Sequence, residues 1–305
     1  MLTEAALAPA AGLGDSDYGG TRPRFSTLRS AGHTFLEHRM AVVGLGFLLF
    51  VVLFCFVGPL LYKTNQVSAN VVVATLPPSG QHWLGTDENG FDVLGRLMLG
   101  GQTSLEVGLG AAIVGASMGV VWGSVAGFCG GVIDSIMMRV VDAVLALPAL
   151  LLLLVLAVII QPSVPMLIII VGVVSWLVPA RLVRGETLTL KTREYVDASR
   201  VVGASRRRTV ARHILPNVLG TIIVNATFQV ADAIILVAYL SFLGLGISPP
   251  ATNWGAMLSD GLNYALSGYW WLIFPPGVTI VLTVVAVNYV GDGLRDAFEV
   301  RLRIR

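Results

Sequence analysis

The amino-acid sequence predicts an all-α integral membrane protein with six transmembrane helices. Hydrophobic residues make up 55% of its 305 residues and charged residues only 12%, which is about half the charged fraction of typical soluble domains. The apolar residues are concentrated in long runs, and a run that crosses a bilayer must be helical because its backbone has no water to bond. Cys55 and Cys129 both fall in apolar segments without a nearby partner, so we assign them to packing.

Six apolar segments are long enough to cross a hydrocarbon core of about 30 Å at about 1.5 Å per residue. The first segment, 40–62, carries no charge, and the residues before it contain no apolar signal-peptide region, so we expect an uncleaved spanning helix. The expected spans are 40–62, 104–128, 137–160, 166–184, 218–244 and 271–291.

The segments between these spans complete the expected organisation. Residues 1–39 form an N-terminal tail, 63–103 form an outer loop, and 104–297 form a core of five spans. Within that core lie an inner loop, 185–217, and a second outer loop, 245–270, and residues 298–305 form a short C-terminal tail. We find no soluble domain and no internal repeat, which disfavours several secondary-transporter folds.

The basic residues predict the orientation of the chain. If the N-terminus is cytoplasmic, 18 of the 20 Lys and Arg residues lie on the cytoplasmic side and only Lys63 and Arg96 lie outside. The opposite topology would violate the positive-inside rule. We therefore expect both termini in the cytoplasm.

The second span carries small residues at a strict spacing of four. Small residues at i and i+4 leave a flat groove that another helix backbone can approach closely. We interpret this stripe as a helix-packing face. Its members are Ala111, Gly115, Gly119, Gly123 and Gly127.

The fifth span carries a polar face made of Asn225, Gln229, Asp232 and Tyr239. Asp232 is the only acid that we place well inside a span, and an ionisable group at that depth must face protein or water. One interpretation is a lining of a translocation path, and the other is a polar contact with a neighbouring helix or partner subunit. A proton relay would need further ionisable groups, which the other spans do not supply.

The sequence lacks the usual signatures of a catalyst. The only lysines are Lys63 and Lys191, so the glycine–lysine pair of a phosphate-binding loop is absent. The four histidines and two cysteines have no metal-ligand spacing. A net charge of only +2 disfavours a nucleic-acid partner held by bulk electrostatics. We therefore expect no catalytic residue, metal or cofactor on this chain.

The inner loop predicts two short amphipathic helices that meet at a corner. In its first half, Tyr195, Ala198 and Val202 share an apolar helical face. Gly203 suits the left-handed residue that ends a helix, Ser205 can cap the next helix, and Pro216 is expected to end that helix before the fifth span. An ordinary basic loop on anionic membrane lipid would explain the arginines, but it would explain neither the apolar face nor the Gly and Pro positions.

This loop resembles the "EAA" loop of the permeases of ABC importers. The triplet is Asp197-Ala198-Ser199, the following glycine is Gly203, and the closing motif is His213-Ile-Leu-Pro216. The resemblance implies a type-I ABC importer permease fold in which this corner is the coupling helix that contacts an ATPase subunit. The residues expected to couple to the ATPase are Tyr195, Asp197, Ala198, Gly203, Leu215 and Pro216.

The resemblance extends over nearly the whole chain and indicates the C-type permeases of dipeptide and oligopeptide importers. The outer-loop motif of that branch is similar to His82-Trp-Leu-Gly-Thr-Asp87 followed by Asp92-Val-Leu-Gly-Arg96. A second motif of the branch resembles Leu240-Ser-Phe-Leu-Gly-Leu-Gly246, which begins in the fifth span. The outer segments 82–96 and 245–270 are expected to dock an extracytoplasmic binding protein. The residues proposed for docking are Gly85, Thr86, Asp87, Asp92 and Trp254.

The same resemblance implies the partners and the cargo class. We expect a second, related permease chain, two ATP-binding subunits or domains that carry ATP and Mg²⁺, and a substrate-binding protein. Relatives of this branch carry dipeptides, oligopeptides, glutathione, nickel chelates or haem. The chain departs from the pattern at Val237, where a glutamate is common, and at Asp232, where a small residue is usual, so the substrate preference cannot be carried over.

Other classes of membrane protein remain as alternatives at this stage. A secondary transporter or channel would share the spans and Asp232, and a membrane scaffold would share the packing stripe. An exporter would share the coupling to an ATPase. Dependence of uptake on an external binding protein and on ATP distinguishes the importer from all three.

Overall fold

The computed structural model describes residues 32–160 and 163–303. The expected N-terminal tail, 1–39, therefore lies mostly outside the described residues, as do the last two residues of the C-terminal tail. The described part of the chain contains no β-strand and only one isolated bridge, between Thr86 and Asp92. The all-α prediction is confirmed.

Twelve helices, numbered here in chain order, follow a short helix at 32–37. They are α1 (Arg39–Phe56), α2 (Gly58–Leu61), α3 (Val93–Cys129), α4 (Gly131–Leu145), α5 (Ala149–Ile159), α6 (Val164–Ser175), α7 (Leu177–Leu190), α8 (Glu194–Val201), α9 (Arg206–Thr209), α10 (Leu215–Leu240), α11 (Trp254–Leu262) and α12 (Trp270–Arg303). Two π-helical segments, Val210–Ile214 and Ser241–Leu245, flank α10.

Four continuous helical segments in the described residues are long and apolar enough to cross a membrane: Arg39–Phe56, Val93–Cys129, Arg206–Leu245 and Trp270–Phe298. Two further pairs pass the same criterion together but are bent, α4 with α5 by 84° and α6 with α7 by 46°. If each bent pair counts as one span, the total is the predicted six.

Helix α3 begins eleven residues before the predicted span, which started at residue 104. Asp92 caps it, since its Oδ1 accepts a hydrogen bond of 2.9 Å from the Gly95 amide. The segment 93–103, predicted as outer loop, is thus the first three turns of a 37-residue helix. The glycines and polar residues of these turns lower their hydropathy, so the apolar pattern missed them.

Prolines account for both bent pairs. Pro148 directly precedes α5, and a proline there lacks the N–H that would continue α4. Pro179 lies in α7 and cannot bond to the carbonyl of Ser175, four residues earlier. The freed Ser175 carbonyl instead accepts a hydrogen bond of 2.6 Å from Nε2 of Gln229. The predicted straight spans at 137–160 and 166–184 are therefore each broken.

Pro216 does not end the second helix of the inner loop, and this prediction was wrong. Helical structure continues from Arg206 past Pro216 to the end of α10 at Leu240. The π-helical segment Val210–Ile214 lies just before the proline, and the Leu215 amide donates to the carbonyl of Val210, five residues earlier. The wider π turn accommodates the missing N–H and the ring of Pro216 without a break.

The interior is organised around α3, which packs against α1, α6, α7 and α10. The largest cluster of buried hydrophobic residues in the described part of the chain joins α3, α5, α6 and α10. Because lipid chains are as apolar as leucine, packing within a membrane depends on close contacts between helices. The buried members of this cluster are Val107, Ala111, Leu153, Ala157, Leu167, Ile170, Val171, Val174, Ala233, Val237 and Leu240.

The small-residue stripe of α3 lies against α6 and α7. A Cβ atom on Gly115 would lie 3.3 Å from Cβ of Ser175, and one on Gly119 would lie 3.0 Å from the Trp176 carbonyl oxygen. A Cβ atom on Gly127 would lie 2.8 Å from Cβ of Thr187. Side chains at these positions would force the helices apart, so the glycines set how closely α3 and α7 approach.

Candidate functional site

The chain has two polar faces at opposite ends of the bundle. We call the face that carries Arg181, Arg206 and the α7–α9 connection the basic face, and the opposite face, at the start of α3, the far face. Helix α3 joins them, since Asp92 caps its first turn and Lys191 donates to the carbonyl of Gly127, near its end, at 3.1 Å.

Helices α8 and α9 meet at a sharp corner on the basic face. Gly203 between them has φ +84°, the left-handed conformation that the sequence predicts, which a residue with a Cβ adopts at a cost of about 1–2 kcal/mol. The Ala204 amide bonds to the carbonyl of Ser199 at 3.0 Å. Ser205 caps α9 through a 3.4 Å bond from the Arg208 amide. The predicted corner geometry is confirmed.

The apolar face predicted for this corner is exposed, as is the neighbouring Val201. Tyr195 and Ala198 are exposed, and Val201 and Val202 each retain 88% of their accessible surface. Burying two valines would contribute about 1.5–3 kcal/mol each. This face is therefore left for contact with something outside the chain.

Buried residues hold the corner against the bundle. Val196 of α8 is fully buried, and Ile214 and Val218 form a buried cluster with Val183 of α7. Thr209 is also buried and donates to the Ser205 carbonyl at 3.2 Å. The corner is thus attached to both α7 and α10.

The residues predicted to couple to an ATPase fall into two groups. Tyr195, Asp197, Ala198 and Gly203 lie on the exposed side of the corner. Leu215 and Pro216 are half-buried at the start of α10, and Pro216 shares with Tyr195 a groove of about 1120 Å³ behind the corner. The corner also carries three exposed arginines, Arg206 to Arg208, so its surface is strongly basic.

The polar face of the fifth span divides into two parts. Gln229 and Asp232 line one cavity of about 300 Å³, and Gln229 is held by the bond to Ser175 described above. Asn225 and Tyr239 do not line that cavity. The Asn225 Oδ1 atom is buried and finds no hydrogen-bond partner within residues 32–160 and 163–303, and Tyr239 is exposed.

On the far face, four of the five residues predicted to dock a binding protein are buried, which corrects that prediction. Gly85 is one of them. Thr86 and Trp254 are fully buried and Asp92 is 2% exposed. Thr86 donates to the Val73 carbonyl at 2.5 Å, and Trp254 donates through Nε1 to the Leu97 carbonyl at 2.9 Å. These side chains hold the far face together, and they offer no surface to a partner in this conformation.

Asp92 is the centre of a hydrogen-bonded cluster. Its Oδ2 atom accepts from the Tyr62 hydroxyl at 2.9 Å and lies 2.8 Å from Nδ1 of His82, while its Oδ1 caps α3. Burial, together with the bond to Asp92, raises the pKa of Tyr62 to about 12. Tyr62 is therefore a neutral donor, and the carboxylate is well satisfied.

The Asp87 side chain remains partly exposed to solvent. Gly85, two residues earlier, has a left-handed backbone conformation. Gly85 has φ +73°, and a Cβ atom there would lie 3.0 Å from the Trp271 ring. Burial raises the pKa of Asp87, as does the nearby Glu88 charge, although Arg96 and two backbone amides oppose the shift. Glu88 and Asp260 line the same small pocket.

Arg96 is a residue of the far face that the sequence analysis did not single out. It lies 3.6 Å from the Asp87 carboxylate, donates to the Pro250 carbonyl at 2.7 Å, and stacks over the Phe91 ring at 4.6 Å. It therefore joins the two outer segments 82–96 and 245–270. The predicted topology placed Arg96 apart from nearly all other basic residues, which was a signal for such a role.

Metal binding finds no support in the described residues. No three His, Cys, Asp or Glu side chains within residues 32–160 and 163–303 are grouped so that they could hold an ion.

Comparison with known proteins places the chain in a family. Residues 119–304 match the family described as the binding-protein-dependent transport system inner membrane component, and residues 26–78 match the N-terminal transmembrane domain of oligopeptide transport permease C. The first of these covers more than half of the chain.

Individual relatives align over nearly their whole length. The dipeptide transport system permease protein DppC of Bacillus subtilis (strain 168) is 43% identical over 282 residues, which are 92% of this chain and 88% of that protein. The oligopeptide transport system permease protein OppC of the same organism is 40% identical and covers 96% of both chains. OppC of Escherichia coli (strain K12) is 38% identical over 90% of this chain and 91% of its own length. With these matches and the corner described above, the chain belongs to the family of binding-protein-dependent transport system inner membrane components.

Proposed function

We propose that this chain is one of two permease subunits of an ABC importer that moves peptides into the cytoplasm of a bacterium. The basic face is then the cytoplasmic face, and both termini lie on that side. ATP and Mg²⁺ belong to separate ATPase subunits that contact the corner. A binding protein delivers the peptide at the far face. The names of the relatives, which are dipeptide and oligopeptide permeases, support the cargo class.

The observation that carries this proposal is the exposed corner at Gly203. The outer surface of this tightly held corner consists of two exposed valines and a tyrosine. Contact with an ATPase partner would bury these side chains. A helical corner with an apolar tip and a basic rim fits a protein groove, where the apolar residues become buried and the arginines remain at the edge.

The same corner supports a route for coupling. Because helical structure is continuous from Arg206 to the end of α10 at Leu240, a movement of α9 is carried along α10 to Gln229 and Asp232. The buried contacts of Ile214 and Val218 with Val183 carry the movement to α7 as well. ATP binding drives such a change only if the ATPases contact the corner differently in the two states.

The far face supports docking through its partly exposed acids. With Gly85, Thr86, Asp92 and Trp254 buried, Asp87 is the predicted docking residue that keeps exposed surface, and Glu88 and Asp260 lie beside it. We assign the buried four to the support of this surface. A binding protein with basic side chains at its contact surface would complement it.

Substitution of Gly203 tests the proposal. Gly203→Asp places a branched, charged side chain in a left-handed residue at the tip of the corner. We expect ATP-dependent peptide uptake by the reconstituted complex to fall about 5- to 150-fold, the range of typical coupling free energies. Binding-protein stimulation of ATP hydrolysis should be lost with it.

The matched control is Gly131→Asp, at the junction of α3 and α4. Gly131 has φ +57°, and no atom lies within 4 Å of a Cβ atom built on either glycine, so both variants place an aspartate at a left-handed residue in open space. Gly131→Asp should leave stimulated ATP hydrolysis within about twofold of wild type. Normal coupling in Gly203→Asp, or an equal loss in both variants, would refute a specific role for the corner.

A further inference from the structure

A cavity of about 300 Å³ opens beside α10 at the level where both bent helix pairs break. Leu145 and Ala149 contribute to it from the two sides of one break, and Ser175 and Leu177 from the other. Its remaining wall is mostly aliphatic. Two polar side chains, Gln229 and Asp232, enter it from α10.

Gln229 is fixed in this cavity by the proline that breaks α6 from α7. Its Nε2 atom donates to the Ser175 carbonyl that Pro179 leaves free. The amide is only 7% exposed, and this bond fixes which way it points. Its Oε1 atom is buried and has no hydrogen-bond partner among the described residues. An orphaned buried acceptor of this kind costs about 1–3 kcal/mol unless a donor arrives.

Asp232 adds a second acceptor three residues further along α10. Among the side chains that the structure describes, none forms an ion pair or hydrogen bond with its carboxylate. The described residues thus supply neither a donor to Oε1 of Gln229 nor a counter-ion to the Asp232 carboxyl group. An ionisable group inside a membrane protein without a partner marks a functional site.

The shape and chemistry of the cavity select its ligand. The three side-chain oxygens of Gln229 and Asp232 are too few for Ca²⁺ or Mg²⁺, which take six or more oxygen ligands. The aliphatic wall, which includes Val174, Val178 and Leu236, suits the apolar stem of a long side chain. Lysine and arginine combine such a stem with a cationic head that donates several hydrogen bonds.

We infer that Gln229 and Asp232 form a subsite for a basic side chain of the imported peptide. The lysine or arginine head bonds to the Asp232 carboxylate and to Oε1 of Gln229, and its stem lies along the aliphatic wall. The subsite lets this chain add to the selection of basic peptides. The inference rests on the proposed function, since it requires that peptides pass this surface.

Two peptides with the same termini test the subsite. The complete importer, reconstituted with its binding protein, is given Ala-Lys-Ala or Ala-Glu-Ala, and the ratio of the two ATP-dependent uptake rates is measured. The same binding protein serves wild type and variants, so its own preference cancels when the ratios are compared. Asp232→Asn should lower the lysine-to-glutamate ratio about tenfold, as expected for a lost hydrogen bond to a charged group, and Asp232→Glu should restore most of it.

Thr227→Val on the same helix is the control, because Thr227 does not line the cavity, and it should leave the ratio unchanged. An unchanged ratio in both Asp232→Asn and Asp232→Leu would overturn the subsite. So would loss of assembly of the permease pair in these variants, which would make Asp232 the partner of a cation on the second subunit. Absence of ATP-dependent uptake of either peptide by the wild type would instead contradict the proposed function.

Discussion

Gly123 on α3 lies directly against the backbone of Arg184 on α7. A Cβ atom on Gly123 would lie 2.9 Å from the Arg184 amide nitrogen and 2.9 Å from Cβ of Val183. Neither atom belongs to the flexible end of a side chain, so neither could move away without a shift of the α7 backbone. Because α7 leads directly to the corner at Gly203, this glycine sets the distance between the central helix and the coupling element.

Replacement of Gly123 by alanine should therefore destabilise the chain. We expect a loss of about 1–3 kcal/mol in the free energy of unfolding, as for other overpacked sites, measured in mixed detergent micelles. Gly46→Ala is the control, since Gly46 lies within α1 and a Cβ atom there would meet nothing within 4 Å. Replacement of a helical glycine in open space should be neutral or stabilising. Equal losses in the two variants would contradict the close approach.

Two ion pairs join α4 to α7 and differ in geometry. Arg184 binds both oxygens of Asp134, at 2.5 and 2.7 Å, whereas Arg181 reaches one oxygen of Asp142 at 2.5 Å. Asp134 is 12% exposed, and the side chains of the second pair are 52% and 58% exposed. Because of its bidentate geometry and lower exposure, we expect the Asp134–Arg184 pair to stabilise the fold more than the Asp142–Arg181 pair.

Double-mutant cycles should separate these two pairs. With Asp→Asn and Arg→Gln substitutions, we expect a coupling energy of about 1 kcal/mol for Asp134–Arg184, discounted because the arginine is a third exposed, and about 0.5 kcal/mol or less for Asp142–Arg181. The measurement is the free energy of unfolding of the purified chain. Equal coupling energies would show that the bidentate contact adds nothing.

The sequence predicted the parts of the fold that depend on local spacing. The stripe that includes Gly123 follows from a repeat of four, and the left-handed Gly203 and the cap Ser205 follow from conformational preferences of single residues. The six spans follow from hydropathy. Each of these features is determined within about one helical turn or one apolar run, so a single sequence is enough to find it.

The features that the sequence missed depend on contacts between distant segments. Pro216 was expected to end a helix, but the π-helical turn before it lets the helix continue through the proline. Thr86 and Asp92 were expected at the surface, but Trp271, 185 residues after Thr86, donates to the Thr86 carbonyl and Tyr62 covers Asp92. The bond from Gln229 to Ser175 crosses between two spans. No local pattern distinguishes a buried polar residue held by such contacts from an exposed one.

Loss of the Asp92 carboxylate should be costly because it serves three donors at once. Asp92→Ala removes the cap of α3 and leaves the Gly95 amide and His82 without this partner. The Tyr62 hydroxyl keeps only its long bond of 3.4 Å to the Gln81 carbonyl. We expect a destabilisation of about 2–4 kcal/mol, from one lost cap and at least one unsatisfied buried donor. Thermal or detergent-induced unfolding measures it.

Ser205→Ala provides the comparison for Asp92→Ala. Ser205 also caps a helix, but through a long, exposed bond of 3.4 Å, so its loss should cost about 0.5–1 kcal/mol. A similar cost for both variants would show that Asp92 acts only as a cap and that its contacts with Tyr62 and His82 contribute nothing.

Asp87 should make the stability of the far face depend on pH. Burial raises the pKa of its carboxyl group more than Arg96 and the two backbone amides lower it. Folding therefore disfavours the ionised form, and the folded protein gains stability when Asp87 takes up a proton. This gain is complete below the pKa of the unfolded chain, near 3.8, and is lost as the pH rises through the raised folded value.

Comparison with Asp87→Asn isolates this effect, because the amide does not titrate and all other groups are shared. The difference in unfolding temperature, wild type minus variant, should increase as the pH is lowered from 7 to about 4. If the difference instead decreases over this range, the pKa of Asp87 is lowered in the folded protein. The 3.6 Å pair with Arg96 would then outweigh burial, and Arg96 would hold the two outer segments together chiefly by charge rather than by its bond to the Pro250 carbonyl.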